Sequence, residues 1–487
     1  MGKAENVDVR EPGMIIGGER VAAECGKTFD VLAPADGRTL ARVPLACESD
    51  VHRAVAAARA GFEQWQSLAP RERERVLLRA ADLVEAEGEA RFLDDLIDES
   101  GSVISKARGE IGYCADLLRA AAGEARRLYG DTFPNDRPDR VSMVFREPLG
   151  VVAVVSPYNA PLSLLAKMAA FPLAAGNALV IKPSEETPLT ALAFGQLLLD
   201  AGAPAQCVSV VTGFGAGCGS VLAEHPAVDC LALTGSTRTG IAVGKASMDH
   251  MRRCQLELGG KSAILVLRDA DITEAAAIAA QGIFTHAGQI CMANSRIVVE
   301  ASIFEAFCEQ LQQAAEALPI GDLRDPASVY GPLINQPALD KVLGHVRGAC
   351  EAGAKLLTGG AVREGLVMEP TLVIEPPRDG DLWHEESFGP VASVVCAADL
   401  DEAIAIANDS QYGLSAAVLT QNVQWGFKAA REIRAGSVHI GMHAFQSNAL
   451  APIGGFNLSG IGRSGGKYST EEFTELKWVS VSLEEGG

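Results

Sequence analysis

"GVVAVVSPYNAPLSLLAKMAAFPLAAGNALVIKPSEETP", residues 150–188, decides the fold. It opens on an apolar run, passes Pro157 and Pro161 into an apolar stretch of helical length, and closes on a second apolar run ending at Lys182. Short Val/Ile-rich runs without polar alternation read as strands buried on both faces, and a helical crossover makes two such strands parallel. The rhythm continues through the helix "PLTALAFGQLLLDAGAP", the strand "CVSVVTG", a short helix, the strand "DCLALTG" and the closing "CQLELGGK". A mostly parallel sheet covered on both faces by helices is therefore predicted.

Working outward, a second α/β unit begins at residue 262. It has a strand "SAILVL", a helix over 271–285, a strand "RIVV" and a helix over 302–317. A turn-rich segment over 319–380, with the helix "QPALDKVLGHVRGACEAG" inside it, leads to "FGPVASVVCAAD", the helix "LDEAIAIANDS" and the strand "SAAVLT". On the other side, residues 8–48 read as short strands and Glu48 to Gly112 as helices. Ser49 is expected as an N-cap and Pro70 at the first position of the next helix. Arg140 to Pro148 and residues 473–482 alternate like exposed strands, the second an edge strand that pairs with something, a partner subunit among the options.

The bulk numbers agree with a large buried protein. At 487 residues the chain is expected to form two or three domains, and with 48% hydrophobic but only 5% aromatic residues its core is built from Ala, Val, Leu and Ile. A formal charge of −20 excludes a positive field, so neither nucleic acid nor an anionic membrane is an expected partner. No apolar run reaches spanning length with clean flanks; the longest candidate, 149–181, is interrupted by prolines, glycines and Lys167. The start has no basic-then-apolar pattern of a secretory leader, and Asn6 stands where a myristoylation motif needs Ser or Thr. The 11 cysteines form no CxxC pair and are odd in number, so neither a disulfide framework nor a structural metal is expected. A reducing cytoplasm is the expected compartment.

Chemistry is expected where glycines follow apolar strands. "LALTGSTRTG" places Gly235 and Ser236 at a strand-to-helix turn whose N–H groups suit a pyrophosphate. Its G-S-x-x-x-G spacing departs from G-x-G-x-x-G, and a tight turn is the plainer reading. "LVIKPSEETP" sets Lys182 and Glu185 at a strand end. A carboxylate there suits both hydroxyls of an adenosine ribose, though a solvated loop also accounts for it. Asn159, between two prolines, suits an oxyanion donor or an Asx turn. Glu257, in an apolar strand before Gly259-Gly260, is either ion-paired or raised in pKa as a general base needs. In "HAGQICMANSR" (286–296), Cys291 follows a break at Gly288, where backbone N–H groups can stabilise a thiolate. His286 offers itself as a base, but with no acid in register it reads as structural.

Together these stretches resemble the aldehyde dehydrogenase superfamily. "PYN" (157–159), "KPSE" (182–185), "LTGSTRTG" (233–240), "ELGGK" (257–261), "GQIC" (288–291), "EESFGP" (385–390) and "PIGGFNLSGIGR" (452–463) occur in that family's order and spacing, over nearly the whole chain. The resemblance implies an α/β fold with a Rossmann-like cofactor domain, a second α/β catalytic domain and a β-strand oligomerisation arm. The cofactor domain would comprise 1–125 and 149–258 with about 455–472 returning to it, the catalytic domain 259–454, and the arm 126–148 and 473–487. It implies Cys291 as nucleophile, Glu257 as general base and Asn159 as oxyanion-stabilising amide. Pro157, Lys182, Glu185, Gly235, Ser236, Glu386 and Phe388 are implied to hold NAD, with NADP possible.

The implied reaction is oxidation of an aldehyde to the carboxylic acid through a Cys291 thiohemiacetal and thioester, the latter hydrolysed by water that Glu257 activates. Leu162, Leu165, Ile290, Met292 and Phe445 are expected around the substrate, which suggests an apolar, aromatic aldehyde. The tail "PIGGFNLSGIGRSGGKYSTEEFTELKWVSV" is also similar to bacterial enzymes that oxidise benzaldehyde, salicylaldehyde or vanillin. The alternatives are a semialdehyde or aliphatic aldehyde dehydrogenase, including a coenzyme A-acylating one, and a catalytically silent structural member of the fold. A homodimer is expected first and a homotetramer second.

Overall fold

The two apolar runs of the 150–188 stretch form the strands Val151–Val155 and Ala178–Lys182, paired in parallel over their whole length. The helix between them, Ser163–Ala175, is apolar around its circumference and nearly all buried. The computed structural model describes residues 9–483. Three further parallel strands follow, Val208–Val210, Cys230–Thr234 and Arg253–Glu257. Numbered along the chain, the five lie in spatial order 3-2-1-4-5. The direction of winding reverses between Val151–Val155 and Cys230–Thr234, and ligands in such sheets bind outside the carboxyl ends of the strands at that point. Two antiparallel segments flank the five: Met14–Ile16 beside Val208–Val210, and Gly460–Ile461 beside Arg253–Glu257.

The helices before this sheet start differently from the expectation. Ser49 is not a cap; the first helix runs Glu48–Gln66 with Cys47 at its N-cap, because the buried Asp50 carboxylate accepts the Cys47 N–H at 3.0 Å. Pro70 does open the next helix, Pro70–Gly88. The helical region also outruns Gly112, since Ile104–Glu124 is one continuous helix. Glycine costs about 1 kcal/mol in a helix interior, less than the burial of Leu117, Leu118, Ala121 and Ala122 on the same helix supplies.

The second unit has six parallel strands, Ala263–Val266, Arg296–Glu300, Thr371–Ile374, Val391–Ala397, Ser415–Leu419 and Ser437–Ile440, in spatial order 3-4-2-1-5-6 with Lys355–Thr358 antiparallel at one edge. Alternate residues feed different cores: Ile264 and Val266 face one apolar cluster, Ala263 and Leu265 another. That two-sided burial is why its strands read as unbroken apolar runs. The helix Val423–Glu432 and the strand Ser437–Ile440 were not expected from sequence; the strand carries His439 among its four residues and is only half-buried, so it lacks the apolar signature.

The alternating tail is the strand Thr474–Ser482, and its partner lies in the same chain. It pairs antiparallel with Arg140–Pro148 through nine residue pairs, and Thr132–Phe133 completes a three-stranded sheet.

Candidate active site

The carboxyl ends of the first sheet open on one crevice of about 1020 Å³. Val151–Val155 delivers Pro157 and Asn159 to its wall, Ala178–Lys182 delivers Lys182 and Glu185, and Cys230–Thr234 delivers Gly235 and Ser236. Arg253–Glu257 contributes Glu257, and the second unit contributes Cys291, Glu386 and Phe388. Residues more than two hundred positions apart thus meet where the strand order reverses.

The donor set on the first-sheet side fits a dinucleotide. Ser236 caps the helix Thr237–Asp249 by accepting the Thr239 N–H at 3.2 Å, so a helix N-terminus with its unpaired first-turn N–H groups opens beside the crevice. Lys182 Nζ donates to the Pro183 carbonyl at 2.8 Å and lies 3.4 Å from the Glu185 carboxylate, which is partly exposed. Toward the second unit, Glu386 accepts the Gly260 N–H at 3.0 Å, and burial holds its carboxyl above the usual range. A Cβ on Gly259 would stand 2.6 Å from Glu386 Oε2, so the close seat of this carboxylate requires glycine.

Cys291 sits on a turn of unusual backbone. His286, Ala287 and Gly288 are successively left-handed, with φ of 54°, 54° and 69°. The turn is pinned by Gln289, whose side chain donates to the His286 and Pro332 carbonyls at 3.3 Å and accepts the Ile334 N–H at 3.0 Å. A Cβ on Gly260 would stand 2.4 Å from the Cys291 carbonyl oxygen, so "GGK" is the floor on which the Cys291-bearing turn rests. Asn159 Nδ2 donates to the Gln289 carbonyl at 2.8 Å, which brings the amide beside the turn. Burial, with Glu386 and Glu257 adding, pushes the Cys291 thiol up to about 12, against a Lys167 ammonium and the Met292 N–H that favour the thiolate. His286 is buried, its Nε2 has no partner, and burial with Lys106 nearby holds it neutral.

Glu257 is ion-paired. Its Oε2 lies 3.0 Å from Lys167 Nζ, while Oε1 accepts from Gln255 Nε2 at 3.1 Å and from the Ser464 hydroxyl. Lys167 and Ser464 were not among the expected residues. A lysine inside the wholly apolar "LLAKMAA" was a readable signal, because a buried ammonium needs a carboxylate. Ser464 carried none.

The five expected substrate walls do not line the crevice. Leu162 and Leu165 have no exposed surface and belong to the core of the first unit, a correction that follows from the all-round burial of the helix Ser163–Ala175. Ile290 and Met292 are half-buried on either side of Cys291, and Ile290 borders a separate small cavity. Phe445 is half-buried and packs on His443 with ring centroids 4.1 Å apart. The loop of His443 and Phe445 is tied to the segment after Cys291 by the Ala444 N–H, which donates to Asn294 Oδ1 at 3.0 Å.

A model described as the aldehyde dehydrogenase family matches residues 21–479. The chain belongs to the aldehyde dehydrogenase family. It is similar to the vanillin dehydrogenase of Pseudomonas fluorescens, 37% identical over 471 residues, 96% of this chain and 97% of that one. It is also similar to the succinate-semialdehyde dehydrogenase (NADP+) of Escherichia coli, 35% identical over 475 residues with the same coverage. Among solved structures, an NAD-dependent aldehyde dehydrogenase from Sinorhizobium meliloti superposes with a TM-score of 0.95 at 37% identity, covering 98% of this chain and 96% of that one. The resemblance and the α/β fold class read from sequence are thus borne out. This aldehyde dehydrogenase oxidises an aldehyde to its acid with NAD or NADP. Among the described residues no helix is long and apolar enough to cross a membrane, and no three or more His, Cys, Asp or Glu cluster as a metal would need.

Proposed function

We propose that this aldehyde dehydrogenase oxidises an apolar, aromatic aldehyde and prefers NAD. The observation that carries the chemical part is the meeting of Asn159, Cys291 and Glu257 at one end of the crevice. Cys291 Sγ loses its proton to solvent and adds as the thiolate to the aldehyde carbon, and the Asn159 amide, released from the Gln289 carbonyl, donates to the new oxyanion. A nicotinamide held between Glu386 and Phe388 would supply the hydride acceptor that oxidation of the thiohemiacetal needs. A thioester then remains on Cys291. Glu257 takes a proton from water, whose oxygen attacks the thioester carbon, and the acid leaves as the Cys291 sulfur is freed.

Glu386 and Phe388 would hold the nicotinamide end, and Phe388 packs edge-on against Tyr158 at 5.9 Å between ring centroids. Pro157, Lys182, Glu185, Gly235 and Ser236 would hold the adenosine and pyrophosphate. Glu185 favours NAD, since a carboxylate at the ribose disfavours a 2′-phosphate. The domain boundaries expected from sequence go with this reading. So does an arm from Arg140–Pro148 and Thr474–Ser482, whose exposed Phe145, Leu476 and Trp478 support pairing with a second copy of this chain.

Ile290 and Met292, apolar and adjacent in the chain to Cys291, support an aromatic aldehyde, as does the similarity to the vanillin dehydrogenase. A semialdehyde is the second reading, favoured by the similarity to the succinate-semialdehyde enzyme. A steady-state kcat/KM panel of benzaldehyde, hydroxylated benzaldehydes, short aliphatic aldehydes and succinic semialdehyde, each with NAD and NADP, tests the proposal. Higher kcat/KM for the aromatic members is expected; a preference for succinic semialdehyde overturns the aromatic assignment. Free acid formed without coenzyme A argues against the acylating alternative, and absence of NADH production throughout would identify a silent member.

A further inference from the structure

We propose that Lys106 and Glu110, one turn apart on the helix Ile104–Glu124, are a positioning pair that sets the Asn159 amide against the nucleophile turn. This rests on the reading of Asn159 as the oxyanion donor. Lys106 Nζ has three protons and three acceptors: the Asn159 carbonyl at 2.6 Å, Glu110 Oε1 at 2.5 Å and Ser102 Oγ at 3.0 Å. The other carboxylate oxygen, Glu110 Oε2, accepts the Leu162 N–H at 3.2 Å, the Ser163 N–H at 3.0 Å and the Ser163 hydroxyl at 3.2 Å. The pair therefore grips both ends of the segment 159–163, one at its carbonyl and one at its amides.

Burial makes the grip stiff. Lys106 and Glu110 side chains are 14% and 6% exposed, and an ion pair so far out of water is stable only while its hydrogen bonds are complete. Displacing the Asn159 backbone would break the only contact that satisfies the third Lys106 proton. With the backbone held, the free element of Asn159 is its side chain, which reaches across to the Gln289 carbonyl. Lys106 also stands close enough to the nucleophile turn for its charge to act on His286. Its position is the seam between the two segments that would form the oxyanion site, one in each unit. An oxyanion donor works only if it is aimed before the charge develops, and an offset of about 1 Å costs on the order of a hundredfold in rate.

The test is stopped-flow measurement of the NADH burst with benzaldehyde, or with propanal should that turn over faster, in Lys106→Met, Glu110→Gln, Asn159→Ala and the double variant Lys106→Met/Asn159→Ala. Calorimetric NAD affinity and Tm are measured on the same preparations. The burst rate constant is expected to fall about tenfold to a hundredfold in Lys106→Met and in Glu110→Gln, with the NAD Kd within about twofold of the parent. The double variant is expected to be no slower than Asn159→Ala, because an aimed group that is absent cannot be misaimed. Burst rates within twofold of the parent in both single variants, alongside a slow Asn159→Ala, overturn the positioning role alone. So does a double variant whose losses multiply, which would mark a general structural effect. An unchanged burst in Asn159→Ala overturns the oxyanion assignment, and the positioning role with it.

Discussion

Lys167 Nζ stands 3.0 Å from Glu257 Oε2, with 3% and 7% of the two side chains exposed. The expected general base is thus held in a buried ion pair through one carboxylate oxygen, while Gln255 and Ser464 donate to the other.

Lys167→Met leaves that carboxylate buried with two neutral donors. Removing one partner of a buried pair costs about 3–5 kcal/mol, and the remaining donors put this site at the lower end. A fall in Tm of several degrees by differential scanning calorimetry is the expected outcome. An unchanged Tm would mean that the pair does not persist in solution.

Glu257→Gln preserves shape but takes up no proton. Steady-state kcat is expected to drop about 10²–10⁴-fold, while mixing with NAD and aldehyde still gives a burst of NADH. A variant with neither burst nor acyl-enzyme by mass spectrometry would show that Glu257 also serves the earlier steps.

The Cys291 thiol, pushed up to about 12 by burial and two carboxylates, is neutral at pH 7 in the protein without cofactor. Because its pKa is raised, the thiolate fraction grows with pH across the whole accessible range. Iodoacetamide labelling of the Cys291 peptide should accelerate about tenfold per pH unit between pH 7 and 9, with no plateau. A plateau below pH 8 would contradict a raised thiol. Cys291→Ala should bind NAD with unaltered affinity and turn over no aldehyde.

Glu185, proposed to meet the adenosine ribose, lies 3.4 Å from Lys182 Nζ. Glu185→Ser should lower kcat/KM with NAD and raise it with NADP, narrowing the ratio at least about tenfold, or 1.4 kcal/mol. A ratio unmoved by the change would separate Glu185 from cofactor choice.

Much of this was legible in the residues. The apolar runs of 150–260 announced a parallel sheet because strands buried on both faces need no polar alternation. Cys291, Glu257, Asn159 and the cofactor-side residues, read from motifs, all reach one crevice. Leu162 and Leu165 lie in the core and off the crevice because periodicity cannot say which face of Ser163–Ala175 turns toward a ligand when nearly the whole helix is buried. Ser49 failed as a cap because the helix already begins at Glu48, where the Asp50 carboxylate reaches back to accept the Cys47 N–H.

Residue order alone determined the α/β class, the strand ends at which chemistry is possible and the residue types able to perform it, since these follow from local periodicity and from glycines after strands. Only the tertiary structure decided which groups meet. Lys167 pairs with Glu257 across 90 positions, Lys106 with the Asn159 carbonyl across 53, and Gly260 with the Cys291 backbone through the absence of a side chain. A buried charge must find its counter-charge wherever packing brings one, and a close approach depends on what stands opposite. Both are properties of the folded neighbourhood, and the local sequence does not contain them.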